Sequence, residues 1–318
     1  MIKEYEKIAS LAIRRRGGAK KSLGLKNKYV FARAKKALGQ NFLKSEIALR
    51  KIIEAGEVKT DEVILEIGPG KGTLTEKLLE KSSFVIAVEK DYELFEFLKN
   101  KFEKEIKKGS LVLINDDILK FDIEKAGQNV VERTLGREGG DGQRKFSAEN
   151  FRGESENILP SFRRYKIIAN IPYNITGAIL KKFLTEKHQP EMMVLMVQHE
   201  VATRILAHDG KESILSISVK AYGKPKMIMR VGKRYFSPAP KVNSAIIAMK
   251  NISRRVFEEN KIDEEKFWKI VKSGFAHKRK KLSSNLKDLF QRDTLTSLEN
   301  KRAEDLSLSD WIALSTEQ

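Results

Sequence analysis

An α/β fold is predicted: a mostly parallel sheet with helices on both faces, followed by a small helical domain. Three features point to it. Short β-branched runs alternate with segments of helical spacing from Ser45 to Gln198. A glycine-rich turn joins the first such run to the helix after it. Beyond Lys250 the pattern turns helical. Alternation of this kind sets parallel strands side by side and puts the crossover helices on the sheet's faces.

Taken in order, "SEIALRKIIEAGE" (45–57) has helical spacing, with Ser45 placed to cap it. "EVILEIG" (62–68) has the short β-branched pattern of a buried strand. "TLTEKLLEK" (73–81) predicts a helix, "FVIAVEK" (84–90) a strand and "YELFEFLKNKFEKEI" (92–106) one helix. "SLVLIND" (110–116) and "YKIIANI" (165–171) predict a third and a fourth strand. Helix "TGAILKKFL" (176–184) and strand "EMMVLMVQ" (191–198) come next. Residues 127–164 break the rhythm with six glycines and near-balanced charge, which predicts a flexible insertion. "EEKFWKIVKSGFAHKRKKLSSNLKDLF" (264–290) predicts a helix, with two short ones after it. The domains expected are a basic extension over 1–32, an α/β domain over 33–250 and a helical domain over 251–318.

Charge narrows the partners. Lys and Arg number 62 against 43 Asp and Glu, a formal net charge of +19. Twelve of the cations fall in residues 1–36, opposed there only by Glu4 and Glu6. A clustered excess of this sign points to a polyanion, with nucleic acid first. The chain has no cysteine, which excludes disulfides and cysteine-bound zinc, and no metal is expected. No apolar stretch approaches the ~18 residues of a membrane span, and the N-terminus lacks the apolar core of a signal peptide. A cytoplasmic protein without a membrane partner is expected.

"EIGPGKGTLT" sets Gly68, Gly70 and Gly72 between a strand and a helix, where backbone can approach a ligand closely. In a Rossmann-like sheet this strand end is where a nucleotide-like ligand binds. The spacing is neither that of a dinucleotide fingerprint nor that of a P-loop. The next strand ends at Glu89, placed to accept both ribose hydroxyls of an adenosine ligand. The third ends "INDDIL", where Asp117 can accept from an adenine amino group and Ile118 can pack on the ring. An adenosine site without a phosphate cradle favours S-adenosyl-L-methionine over NAD or ATP. The fold expected is therefore a Rossmann-like S-adenosylmethionine-dependent methyltransferase domain with a small C-terminal helical domain.

The fourth strand ends "NIPY", beside the same crevice. An exocyclic base amine is a poor nucleophile, because its lone pair is delocalised into the ring. Two acceptors gripping its hydrogens would turn that lone pair toward a sulfonium methyl. The side-chain oxygen of Asn170 and a main-chain carbonyl near Pro172, aimed by the proline's fixed φ, can do this. Tyr173 can stack on a base taken out of its helix.

With "ALGQNFL" (37–43), "MVQHEVATRI" (196–205), "FSPAPKVNSAI" (236–246) and "FAHKRKKLSSNL" (275–286), these motifs resemble, in order, the KsgA family of small-subunit (16S-type) ribosomal RNA adenine N6,N6-dimethyltransferases. The resemblance spans residues 33–290. It implies dimethylation of two adjacent adenosines in a hairpin loop near the 3′ end of small-subunit rRNA, during ribosome biogenesis. It assigns Asn41 and Leu43 to the wall of the cofactor site, with Gly68, Gly70, Glu89, Asp117, Ile118 and Asn170. It assigns Asn170, Pro172 and Tyr173 to catalysis, and Phe236 to the other face of the target base. The chain departs from the family in Asn243, where Asp is usual, in "HKRKK", in the 127–164 insertion and in the basic extension.

Lys278, Arg279, Lys280 and Lys281, predicted to lie on a helix, and the basic stretch 14–36 are the expected phosphate contacts. The partner expected is small-subunit rRNA or a pre-ribosomal small subunit, bound by a monomer. Two other readings are an Erm-type large-subunit rRNA methyltransferase and a non-catalytic ribosome-assembly factor on the same scaffold. The proline of "EIGPG" and the 275–286 segment oppose the first. The intact "NIPY", Glu89 and Asp117 oppose the second.

Overall fold

A computed structural model describes residues 35, 38–123, 125, 164–298 and 300–317. The 1–32 extension and all but the last residue of the 127–164 insertion lie outside the described residues. In chain order the elements begin β1 (Phe42–Leu43), α1 (Glu46–Gly56), β2 (Val63–Ile67), α2 (Thr73–Leu79), β3 (Phe84–Glu89), α3 (Tyr92–Lys101), α4 (Glu103–Lys108) and β4 (Leu111–Asn115). There follow β5 (Tyr165–Asn170), α5 (Thr176–Thr185), β6 (Met192–Gln198), α6 (His199–Leu206), α7 (Ile214–Lys220), β7 (Lys224–Val231), β8 (Phe236–Ser237) and β9 (Ser244–Lys250). Helices α8 (Arg255–Glu259), α9 (Glu264–Gly274), α10 (Leu282–Leu286), α11 (Arg292–Ser297) and α12 (Leu308–Thr316) complete the chain.

Seven strands form one sheet in the order β4-β3-β2-β5-β6-β9-β7. The strands from β4 to β6 are parallel, and β9 and β7 close one edge antiparallel. The order reverses between β2 and β5, so the ends of β2, β3, β4 and β5 open onto one crevice. Alternate residues serve opposite faces. Val63, Leu65 and Ile67 enter a core that continues into the C-terminal helices, while Ile64 joins the core beneath α1 and α2. That period of two is the strand's own, and the central strands are largely apolar because both of their faces are covered, whereas the edge strand β7 carries exposed Lys224, Lys226 and Arg230. The two short strands β1 and β8 pair separately, with Leu43 opposite Phe236.

Ser45 caps α1 as expected, accepting from Ala48 N. Other expectations change. The single helix over 92–106 breaks at Phe102, whose buried ring packs against Gly72; a Cβ there would come within 2.5 Å of it. The helix over 264–290 stops at Gly274, which lies so close to Trp311 that a Cβ would approach its ring within 2.3 Å. The chain then turns, and Asn285 Nδ2 fastens the turn by donating to the carbonyls of Gly274 (2.6 Å) and His277 (3.2 Å). Lys278, Arg279, Lys280 and Lys281 are thus exposed on a turn, not on a helix.

Candidate active site

A cavity of about 180 Å³ opens at the strand ends. Its floor is the turn after β2, where Gly68 and Gly70 have φ of 63° and 61°, a region that side chains disfavour. The amides of this turn are already committed. Gly68 N donates to Val88 O (2.9 Å), Gly70 N to Glu89 Oε2 (3.0 Å) and Gly72 N to Pro69 O (2.9 Å). A pyrophosphate would need such donors free, so this geometry disfavours a dinucleotide.

Glu89 ends β3 with 5% of its surface exposed, and its Oε1 accepts from Asp91 N (2.9 Å). Burial raises its pKa above the usual carboxylate range, against the pull of the Asp91 and Gly70 amides. With both oxygens pinned, the carboxylate is oriented before any hydroxyl reaches it. Asp117 follows β4; Lys90 Nζ donates to its Oδ2 (2.9 Å) and Leu119 N to its Oδ1 (3.1 Å). The Lys90 ammonium, more than the Leu119 amide, lowers its pKa. Ile118, 5% exposed, lines the cavity beside it.

Asn170 ends β5. Its Nδ2 donates to Asn41 O (3.0 Å), and its Oδ1 has no hydrogen-bond partner among the described residues. Pro172, with φ −61°, extends the chain before a short 3₁₀ turn at Tyr173–Ile175. The Tyr173 hydroxyl shares a 2.5 Å hydrogen bond with Ser244 Oγ on β9.

The cavity thus gathers Asn41, Leu43, Gly68, Gly70, Glu89, Asp117, Ile118, Asn170 and Pro172. Tyr173 and Phe236 are absent from its lining. Phe236 is 2% exposed, in the core with Leu43. Sequence reasoning missed Glu66, which lines the cavity, is 1% exposed and accepts from Thr75 Oγ1 (2.6 Å). Burial pushes its pKa up to about 8. The available signal was a lone acid inside the apolar run "VILEIG". Missed too was Gln40, whose partner Asp91 lies far along the chain.

The donor set suits S-adenosylmethionine. Glu89 offers a pinned carboxylate for ribose and Asp117 one for an adenine amine. A Cβ on Gly68 would meet only Pro172 Cδ, at 3.9 Å, so the floor there is left open. No helix among the described residues is long and apolar enough to cross a membrane.

Comparison with known proteins places the site in context. The ribosomal RNA adenine dimethylase family matches residues 31–317. "Ribosomal RNA small subunit methyltransferase A" of Dehalococcoides mccartyi is 36% identical over 297 residues, covering 90% of this chain and 88% of the relative. The protein of that name from Fusobacterium nucleatum is 34% identical, covering 88% and 96%. Among solved structures, a dimethyladenosine transferase from Plasmodium falciparum superposes with TM-score 0.64 at 24% identity, covering 87% of this chain and 96% of its own. The 23S rRNA methyltransferase ErmE superposes with TM-score 0.64 at 20% identity, covering 87% and 100%. These two share the fold.

Proposed function

The chain belongs to the ribosomal RNA adenine dimethylase family, and from that premise we propose that it dimethylates the N6 amines of two adjacent adenosines in a hairpin loop near the 3′ end of small-subunit rRNA. It is an S-adenosyl-L-methionine-dependent rRNA adenine dimethyltransferase. The observation that carries the reading is the free Oδ1 of Asn170 at the cavity that also holds the Glu89 carboxylate.

When bound, the cofactor supplies an electrophilic methyl group on a sulfonium. Glu89 would hold its ribose hydroxyls, Asp117 its adenine amine, and Ile118 would pack on the ring. Asn41 and Leu43, with Gly68 and Gly70, would wall the methionine side. Asn170 Oδ1 would accept one hydrogen of the target amine and a main-chain carbonyl near Pro172 the other, turning the lone pair toward the methyl. No base is required beforehand, because the amine becomes acidic only once methylated. Catalysis is then mainly positioning. Tyr173, oriented by Ser244, would stack on the flipped adenine, and Phe236 would cover its other face after repacking from the core.

The domains proposed are the methyltransferase domain over 33–250, interrupted by the 127–164 insertion, and a helical RNA-binding domain over 251–318. Lys278, Arg279, Lys280 and Lys281 would contact phosphates. We propose a cytoplasmic monomer acting on small-subunit rRNA or a pre-ribosomal small subunit. The curated relatives cited, at 34–36% identity, carry a small-subunit name, which favours this over the large-subunit reading. Undermethylated small subunits should take methyl label into N6,N6-dimethyladenosine. Label entering only large subunits would overturn the assignment.

A further inference from the structure

The cavity's size sets a problem. At about 180 Å³, it is smaller than the roughly 300–1,000 Å³ of small-molecule sites. Movement of one wall would enlarge it for a ligand of adenosine–methionine size. Most of the cavity is built from the ends of sheet strands and the turns that follow them. Helix residues Leu49, Thr73, Leu74 and Leu94 add to it, and residues 38–43 form a strap along the lining before α1 begins. Its regular backbone pairing is confined to two residues of β8.

Side chains hold the strap shut. Gln40 Nε2 donates to Asp91 Oδ2 (3.0 Å), and Lys35 Nζ donates to Asp91 Oδ1 (2.9 Å). Lys35 N in turn donates to Gln40 Oε1 (2.7 Å), so the amide is gripped at both ends. Asp91 is 3% exposed and also caps α3 through Glu93 N (3.0 Å). Its own amide donates to Glu89 Oε1. One residue therefore touches both the strap and the carboxylate assigned to ribose.

We propose that Gln40 and Lys35, clasping Asp91, latch the 38–43 strap over the cofactor cavity, so that Gln40 and Asp91 are positioning residues governing cofactor entry and release. The proposal rests on reading this cavity as the S-adenosylmethionine site. Opening breaks the Gln40 and Lys35 contacts while Asp91 keeps its cap on α3. Closing restores two charge-assisted contacts and returns Asn41 O to Asn170.

The test is displacement kinetics with S-adenosylhomocysteine as probe, on the full chain. Gln40→Leu keeps bulk and removes the donor. Asp91→Asn keeps an acceptor for the α3 cap and removes the charge. Gln40→Leu should speed release about tenfold, the scale of one charge-assisted hydrogen bond. KM for S-adenosylmethionine should rise by that factor while kcat falls by less. In the Asp91→Asn background, Gln40→Leu should add little. A lowered melting temperature with release unchanged would mean a purely structural contact and overturn the latch, leaving the cofactor site standing. Failure of the unaltered chain to bind the probe would overturn both.

Discussion

Asn170 donates its side-chain amide to the main-chain oxygen of Asn41 across 3.0 Å, which joins the end of β5 to the strap that walls the cavity. The bond settles which way the amide points. Its nitrogen is spent on the chain and its oxygen is left for a ligand. An acceptor fixed in advance can orient an amine without being reorganised when the amine arrives.

Asn170→Ala should therefore cut single-turnover methyl transfer by about 100-fold or more, the scale of one misplaced catalytic contact. Cofactor affinity should fall much less. Asn170→Asp keeps the shape but sets an oxygen against Asn41 O, so it should lose activity without restoring the bond. Single-turnover rates beside calorimetric cofactor affinities check both. A wild-type rate in either variant makes the motif merely structural.

Glu89→Gln should weaken S-adenosylmethionine binding by roughly 1–3 kcal/mol, the loss expected when a charged acceptor becomes neutral. The sign of the pH effect follows from burial, which raises the Glu89 pKa. Ribose hydroxyls prefer the ionised form, so protonation competes with binding. Affinity should fall as pH drops through this raised pKa, at a higher pH than for an ordinary carboxylate. Calorimetry across the pH range should show the fall blunted in Glu89→Gln.

Glu66 offers a stability measurement. Burial lifts its pKa from 4.5 to about 8 in the fold. Folding then takes up a proton between those values, so the group's contribution is fully present below pH 4.5 and is lost as pH rises through about 8. Glu66→Gln can still accept from Thr75 and never ionises. Its melting temperature should fall less than that of the parent chain between pH 5 and pH 8.

How far the sequence carried these conclusions differs by residue, for physical reasons. Apolar runs buried on both faces announce their own ends, so the turn at Gly68, the acid at Glu89 and the stop at Asn170 were all legible. The break at Phe102 was not, because helical spacing continues through it and only packing against Gly72 draws the ring inward. The stop at Gly274 was not legible either, because it falls inside the segment of helical spacing and the residue packed against it, Trp311, is distant in sequence. Strand β7 was hidden by Pro225 and by the mixed exposure of an edge strand. The Gln40–Asp91 contact bridges residues 51 apart, and no local pattern marks it.

The same turn after Gly274 bears on RNA. Lys278, Arg279, Lys280 and Lys281 are exposed and form no ion pair with a described residue. Among the described residues no acid pairs with their ammonium and guanidinium groups, and Asn285 holds the loop that carries them. A helix would have spread four consecutive side chains around its axis, whereas a turn can present several together to a folded phosphate backbone. Contacts of this kind position the substrate without reading its bases, and each releases counterions on binding. Replacing all four by Gln should weaken small-subunit binding. It should also flatten the log–log salt dependence, by roughly 0.7–0.9 for each phosphate that is no longer neutralised. Cofactor affinity should stay intact, since none of the four lines the cavity. Titrations of mutant and parent chain at several salt concentrations decide the matter. Lines that fall together at every salt would return the turn to the role of a solvated surface.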